Sequence, residues 1–351
     1  MNKNIEIFKN AGYGMMIHFG LYSLLAGEYR GKRGPSYAEW IGAYFAIPQK
    51  EYEKLANAFN PIYFDAEEWV AFAKKCGMKY IVMTTKHHDG FAMFHSKVDS
   101  YNVKDATPFG RDIVAELANA CRKYGLKLGF YYSQDLDWHE EHGGGYLSAP
   151  IGCAGVSWEN SWDYPDKSKK DFSICFEKKI IPQIEEIMTN YGDIFTAWFD
   201  MPMTLTAEQS QKIYDTVKRL QPDCLVNSRI GNGKYDYVSL GDNEIPKDKE
   251  TWDKMSKSDS ARIDYADING FKPSPFGLYE SACTLNRSWG YNADDHNWIS
   301  AEKLLENKQH LNKLGINYLI NVGPDALGRF PAESMEILSR VAELEKNNYL
   351  K

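Results

Sequence analysis

The stretch Ala66–Asp89, AEEWVAFAKKCGMKYIVMTTKHHD, carries one helix–strand unit and its polar terminus. Apolar Trp69, Val70, Phe72 and Ala73 recur at helical spacing, and a basic turn, Lys74–Lys75, precedes Gly77, the expected stop signal. Tyr80–Thr85 is then a short run of β-branched, aromatic and apolar residues, suited to a buried parallel strand. It runs out into Lys86-His87-His88-Asp89.

The same alternation extends in both directions. Further strands are read at Gly14–His18, Leu126–Tyr132, Ile194–Asp200, Cys224–Arg229, Tyr235–Gly241, Gly277–Glu280 and Asn317–Gly323. Helices are read at Arg111–Gly125, Glu177–Tyr191, Thr206–Leu220, Ser300–Leu314 and Ala332–Lys346. Eight strands with room for crossover helices predict an α/β fold of the (β/α)8 TIM-like barrel type, a single catalytic domain over residues 1–351. A doubly wound open sheet is the alternative, but no GxGxxG follows the first strand. No linker or repeat divides the chain. The Gly/Ser/Pro-rich segment Glu141–Lys167 reads as an active-site loop or a plain surface insertion, and Lys247–Ile268 as a second, charged insertion.

Of 351 residues, 43% are hydrophobic and 25% charged, which supports a large core and excludes disorder. A net charge of −7 without a basic stripe argues against nucleic-acid binding. The first fifteen residues mix charges throughout, and no apolar run reaches the roughly 18 residues of a membrane span. A soluble, cytoplasmic protein is expected, its six scattered cysteines reduced. The chain is rich in aromatics, with 9 Trp and 23 Tyr. Most belong to a core, while some could line a cleft and stack on a sugar ring.

Catalytic groups of a barrel come from the C-terminal ends of several strands. Here those ends deliver His18, His87 and His88, Tyr131 and Tyr132, Asp200, Arg229, then Asp242 and Glu244, Glu280, and Trp289 close behind. Each has an ordinary reading as well: a structural histidine, or a helix-capping aspartate. Residues His87 and His88 can reach one ligand only if the strand has ended, because neighbouring strand residues point to opposite faces. Together the set suggests glycoside hydrolysis, with Asp200 paired to Asp242, Glu244 or Glu280. One acid protonates the leaving oxygen and one carboxylate meets the oxocarbenium-like centre. A zinc hydrolase built on His18, His87, His88 and Asp200 is the rival, without a paired HxH to support it.

These residues lie in segments that resemble the glycoside hydrolase family 29 α-L-fucosidases: GMMIHFGLYS, YAEW, TTKHHDGFAMFHSKVDSYN, GFYYSQDLDW, AWFDMP, NSRIG and YESACTLNRSWGYN. The likeness runs from about Phe8 to Arg329 and is greatest to the compact, single-domain bacterial α-1,6-L-fucosidases, down to LYSLLAGEYRG and SLGDNEIP. The resemblance implies a retaining exo-glycosidase with possible transfucosylation, in which Asp200 is the nucleophile. It also implies fucose contacts from His18, Glu39, Trp40, His87, His88, Tyr131, Arg229 and Trp289.

The acid/base is less fixed within the family. Asp242 is the first choice, with Glu244 on the same side if the chain stays extended, and Glu280 as a third candidate or supporting carboxylate. No cofactor or metal is implied, and the expected partner is a fucosylated oligosaccharide or glycoconjugate. Many family members continue into a C-terminal β-sandwich, whereas this chain ends shortly after its last strand. A homo-oligomer is therefore expected. A non-catalytic fucose-binding module would have lost its nucleophile, and Asp200 is present.

Overall fold

The computed structural model describes residues 2–148, 152–232, 234–248 and 273–349, the side chains of 153 and 348–349 excepted. Eight strands form one parallel sheet: β1 (Tyr13–Ile17), β2 (Tyr80–Lys86), β3 (Lys127–Ser133), β4 (Thr196–Asp200), β5 (Leu225–Val226), β6 (Val238–Ser239), β7 (Tyr279–Thr284) and β8 (Ile316–Val322). Their order is β5-β4-β3-β2-β1-β8-β7-β6, and a parallel bridge between Asn227 and Tyr237 joins the two ends. This is the (β/α)8 barrel, since neighbours in space remain neighbours in sequence around the ring. A doubly wound sheet would reverse direction at its first strand.

Helices pack outside. Ala66–Lys75 is capped by Asp65, which accepts from the backbone of Glu67 and Glu68. Ile113–Tyr124 ends at Gly125 in the left-handed region. Ala207–Leu220 opens with a capping box between Thr206 and Gln209. Ala301–Lys313 and Ala332–Tyr349 flank β8. The helix expected from Glu177 starts earlier, at Phe172, and carries a π segment, Phe176–Ile180, before continuing to Asn190. Between β5 and β6 the described residues make a 3-10 turn, Ser228–Ile230, and no crossover helix. Of the second insertion, residues 249–268 lie outside the described residues.

One element was not legible beforehand. The short helix Lys3–Lys9, capped by Asn2, carries Phe8 beneath the barrel, with its ring 4.8 Å from Tyr237 and 5.9 Å from Phe195. Its seven residues offer too little apolar periodicity to mark it in sequence.

Strand alternation divides the core in two. Met15, Ile17, Ile81, Met83, Phe130, Tyr132, Ala197 and Phe199 face the helices. Met16, Tyr80, Val82, Tyr131, Trp198, Ala282 and Leu319 fill the barrel. Tyr80 fits because its neighbour on β1 is Gly14: a Cβ there would lie 2.5 Å from the tyrosine ring.

Candidate active site

A cavity of about 400 Å³ opens at the C-terminal ends of the strands. It is lined by Met16, His18, Glu39, Trp40, His87, His88, Tyr131, Trp198, Asp200, Met201, Arg229, Asp242 and Trp289. Ten of these are the residues singled out from sequence; Met16, Trp198 and Met201 are additions. Strand parity could have found two of them, because Met16 and Trp198 stand two residues before His18 and Asp200 on the inner face.

Asp200, the last residue of β4, is held at both oxygens. Tyr131 donates its hydroxyl to Oδ2 at 2.8 Å, and Arg229 Nη1 lies 3.3 Å from Oδ1. It caps no helix; the following helix is capped by Thr206. Burial pushes the Asp200 carboxyl up to about 6, the Arg229 charge opposing and the Asp242 charge adding to the rise. The second terminal nitrogen of Arg229 donates to Asp242 Oδ1 at 2.5 Å, and the guanidinium lies 4.6 Å over the Trp198 ring. One buried cation therefore bridges the two carboxylates. Asp242 retains 36% of its side-chain exposure, against 11% for Asp200, so it can exchange protons with solvent.

The other two acid/base candidates do not reach the cavity. The chain turns at Asn243, whose φ is +59°, and Glu244 N bonds back to Gly241 O. The extended path that would place Glu244 beside Asp242 is therefore absent, and Glu244 Oε2 instead accepts from Gly241 N at 2.9 Å. Glu280 lies fully buried in the barrel, in register with Ser239, with Tyr80 and Trp198 donating to its two oxygens. It faces inward as parity predicts but lies beneath the cavity floor.

Two of the three cavity imidazoles are fixed as neutral acceptors. Asn321 donates Nδ2 to the Trp289 carbonyl, which leaves its Oδ1 to accept from His18 Nδ1 at 2.7 Å. Ser133 donates to the Leu136 carbonyl and so accepts from His88 Nδ1 at 2.8 Å. In both rings Nε2 is then the unprotonated atom. Burial lowers His18 to about 4, and drives His87 and His88 well below the usual range. The strand ends at Lys86, so both adjacent histidines reach the cavity. Lys86 is anchored below by Asp137 at 2.9 Å, which Lys179 also contacts at 3.1 Å.

Glu39 enters on the 3-10 turn Ala38–Trp40. Its Oε2 accepts from Gly290 N at 2.8 Å, and its buried Oε1 has no partner. Burial pushes its carboxyl up to about 7, with the Gly290 hydrogen bond opposing. The Nδ1 of His87 is likewise buried and unpaired. Such orphans beside a cavity mark positions for ligand hydroxyls. Trp40 is braced from behind by Trp138 and Trp158, at 5.2 and 5.6 Å, the second coming from the insertion read as a possible active-site loop. That insertion therefore buttresses the cavity wall.

Among the described residues, one set of three His or acidic side chains has donor atoms converging within 4.8 Å: Asp99, His139 and Glu140. The Lys179 ammonium lies 2.8 Å from Asp99 and 3.0 Å from Glu140, so a cation of the protein's own is already there. His18, His87, His88 and Asp200 form no such set. Among the described residues no helix is long and apolar enough to cross a membrane.

A model of the α-L-fucosidase family matches residues 1–348. The chain belongs to the α-L-fucosidase family of glycoside hydrolases. Among solved α-L-fucosidases, unliganded AlfC from Lactobacillus casei is 60% identical, with 100% of both chains covered and a TM-score of 0.92. The D200A form of AlfC in complex with Fucα(1,6)GlcNAc is 58% identical, covering 99% of this chain and 100% of that one, at a TM-score of 0.89. Tissue α-L-fucosidase of Mus musculus is 34% identical over 333 residues, 90% of this chain but 64% of the mouse protein. The chain spans 53% of the length of α-L-fucosidase 1 of Arabidopsis thaliana.

Proposed function

We propose that this α-L-fucosidase family member is a retaining exo-α-L-fucosidase acting by double displacement, with Asp200 as nucleophile and Asp242 as acid/base. The observation that carries the reading is the Arg229 bridge between a buried carboxylate and a solvent-reachable one, in a cavity walled by sugar-binding residue types. A retaining pair stands close, roughly 5–5.5 Å apart, and one guanidinium serving both carboxylates is compatible with that spacing.

In the first step an Asp200 oxygen attacks the anomeric carbon, the glycosidic C–O bond breaks, and Asp242 gives its proton to the departing oxygen. Esterification removes the Asp200 charge and leaves Arg229 to pair with Asp242 alone, as the carboxylate the second step needs. Asp242 then takes a proton from water, whose oxygen attacks C1 and releases Asp200. A sugar hydroxyl in place of that water gives transfucosylation. Glu39, His18, His87 and His88 offer acceptors to the fucose hydroxyls, while Trp40 and Trp289 close on the ring.

The substrate we infer is an α-1,6-linked fucosylated glycan, a preference supported by the Fucα(1,6)GlcNAc complex of AlfC. Proton NMR of p-nitrophenyl α-L-fucoside turning over tests the reading. First-formed α-fucose is expected. First-formed β-fucose would keep the sugar and overturn the double displacement, and no turnover would overturn the activity. Faster cleavage of Fucα(1,6)GlcNAc than of α-1,2 or α-1,3 isomers is expected. We also propose a homo-oligomer, and gel filtration at the monomer mass would overturn that.

A further inference from the structure

The nucleophile's two supports rest on a single side chain. Tyr131, which donates to Asp200 Oδ2, stacks on Trp198 with ring centroids 5.4 Å apart and planes at 23°. Arg229, which contacts Asp200 Oδ1, lies 4.6 Å over the same indole. An indole has one hydrogen-bonding atom, Nε1, and whatever holds it fixes how the ring is turned. Here Nε1 donates to Glu280 Oε1 at 3.0 Å. The other carboxylate oxygen accepts from Tyr80 OH at 2.6 Å, and Tyr80 in turn occupies the space left by Gly14. Five strands thus contribute to one stack: Gly14 from β1, Tyr80 from β2, Tyr131 from β3, Trp198 from β4 and Glu280 from β7.

We propose that Glu280 is a positioning residue: it orients the Trp198 indole as the platform on which Tyr131 and Arg229 aim Asp200. The inference rests on the reading of Asp200 as nucleophile. A carboxylate suits this place because both neighbours are donors and both its oxygens accept. Among the described residues no cation lies within hydrogen-bonding distance of Glu280, though the Arg229 charge favours its ionised form; burying such an acid is unfavourable, and packing alone would be served by an apolar residue. Glu280 touches no part of the cavity and so is not itself catalytic.

The test compares Glu280→Leu with Glu280→Gln. Leucine removes both acceptors and frees the indole to turn. Glutamine keeps one carbonyl for Trp198 Nε1 and can donate its amide to the Tyr80 oxygen. Displacement of groups on this scale slows chemistry by about 10–100-fold. The leucine variant should lose that much in kcat, with a smaller change in the inhibition constant for free L-fucose, because Glu39 and His88 are held by Gly290 and Ser133 and not by the indole. Glutamine should restore most of the rate. A folded leucine variant turning over at the wild-type rate would overturn the proposal, as would a glutamine variant as slow as the leucine one.

If leucine prevents folding, Trp198→Phe removes Nε1 and keeps an aromatic face. It should slow turnover to the same degree, and adding Glu280→Gln should then cost nothing more; multiplied losses would overturn the coupling. Crystal structures decide the matter separately from activity. A turned indole and an Arg229 shifted from Asp200 are expected in the leucine or Trp198→Phe variant, and unchanged geometry refutes the role. Failure of the wild type to cleave fucosides would instead remove the functional reading while leaving this geometric test in force.

Discussion

The Arg229 guanidinium reaches Asp200 at 3.3 Å with one terminal nitrogen and Asp242 at 2.5 Å with the other. The two carboxylates it joins differ in exposure and in the company they keep, which is the basis for the roles proposed for them. Asp200 is sealed between a tyrosine hydroxyl and the cation, while Asp242 opens to solvent.

Removing the proposed nucleophile should abolish hydrolysis. Asp200→Ala is expected to lower kcat by about 10⁴-fold, within the range seen when a covalent-catalysis residue is deleted. Added azide should restore turnover by attacking the vacated face, giving β-fucosyl azide. An α-azide product would contradict the geometry.

The acidic limb of the rate profile should report Asp200. As the proposed nucleophile it attacks only as carboxylate and its carboxyl is pushed up to about 6, so kcat/KM should fall tenfold per unit below that pH. A profile flat down to about pH 4.5 would show that burial does not raise this carboxyl.

In the proposed mechanism Asp242 supplies a proton that a good leaving group scarcely needs. Asp242→Asn should slow Fucα(1,6)GlcNAc about 10²–10³-fold and p-nitrophenyl fucoside much less in the fucosylation step. Equal losses on both substrates would point to a binding role, and wild-type rates on both would reassign the acid.

Glu39 links stability to binding. Its folded carboxyl is raised from 4.5 to about 7, so the folded state binds the proton more tightly than the unfolded chain. The stability it contributes is present at low pH and lost as pH rises through about 7. Glu39→Gln should therefore raise the melting temperature at about pH 8, by on the order of 2 kcal/mol of stability, and hardly at all at about pH 4. The same change should weaken L-fucose binding, which calorimetry can measure.

Gly290 sits where a side chain has no room. A Cβ there would lie 2.8 Å from the Tyr22 ring and 3.3 Å from Glu39 N. Gly290→Ala should push Trp289 and Glu39 apart and raise KM for p-nitrophenyl fucoside about tenfold with a smaller effect on kcat. An unchanged KM would show that the wall can relax.

Much of this arrangement was written in local pattern. Apolar runs such as YIVMTT and AWFD mark buried strands because a parallel barrel wets neither face of its sheet, and alternation told Tyr131 from Tyr132. Tyr131 does meet Asp200, and Tyr132 meets Gln183 on the helix side. The helix Lys3–Lys9 escaped notice because a single amphipathic turn or two leaves little periodicity.

The sequence by itself determined the barrel, the strand ends that carry chemistry and the family to which the chain belongs. Only the tertiary structure puts Asp242 on the cavity wall and Glu244 and Glu280 away from it. Alternation sets the face on which a side chain lies but not its depth along the barrel axis, so Glu280 reads as a mouth residue until its register with Ser239 is known. A left-handed turn at Asn243 likewise leaves no periodic trace, yet it swings Glu244 away from the cavity. Trp198 as a shared platform is a property of five strands meeting, and no stretch of one strand contains it.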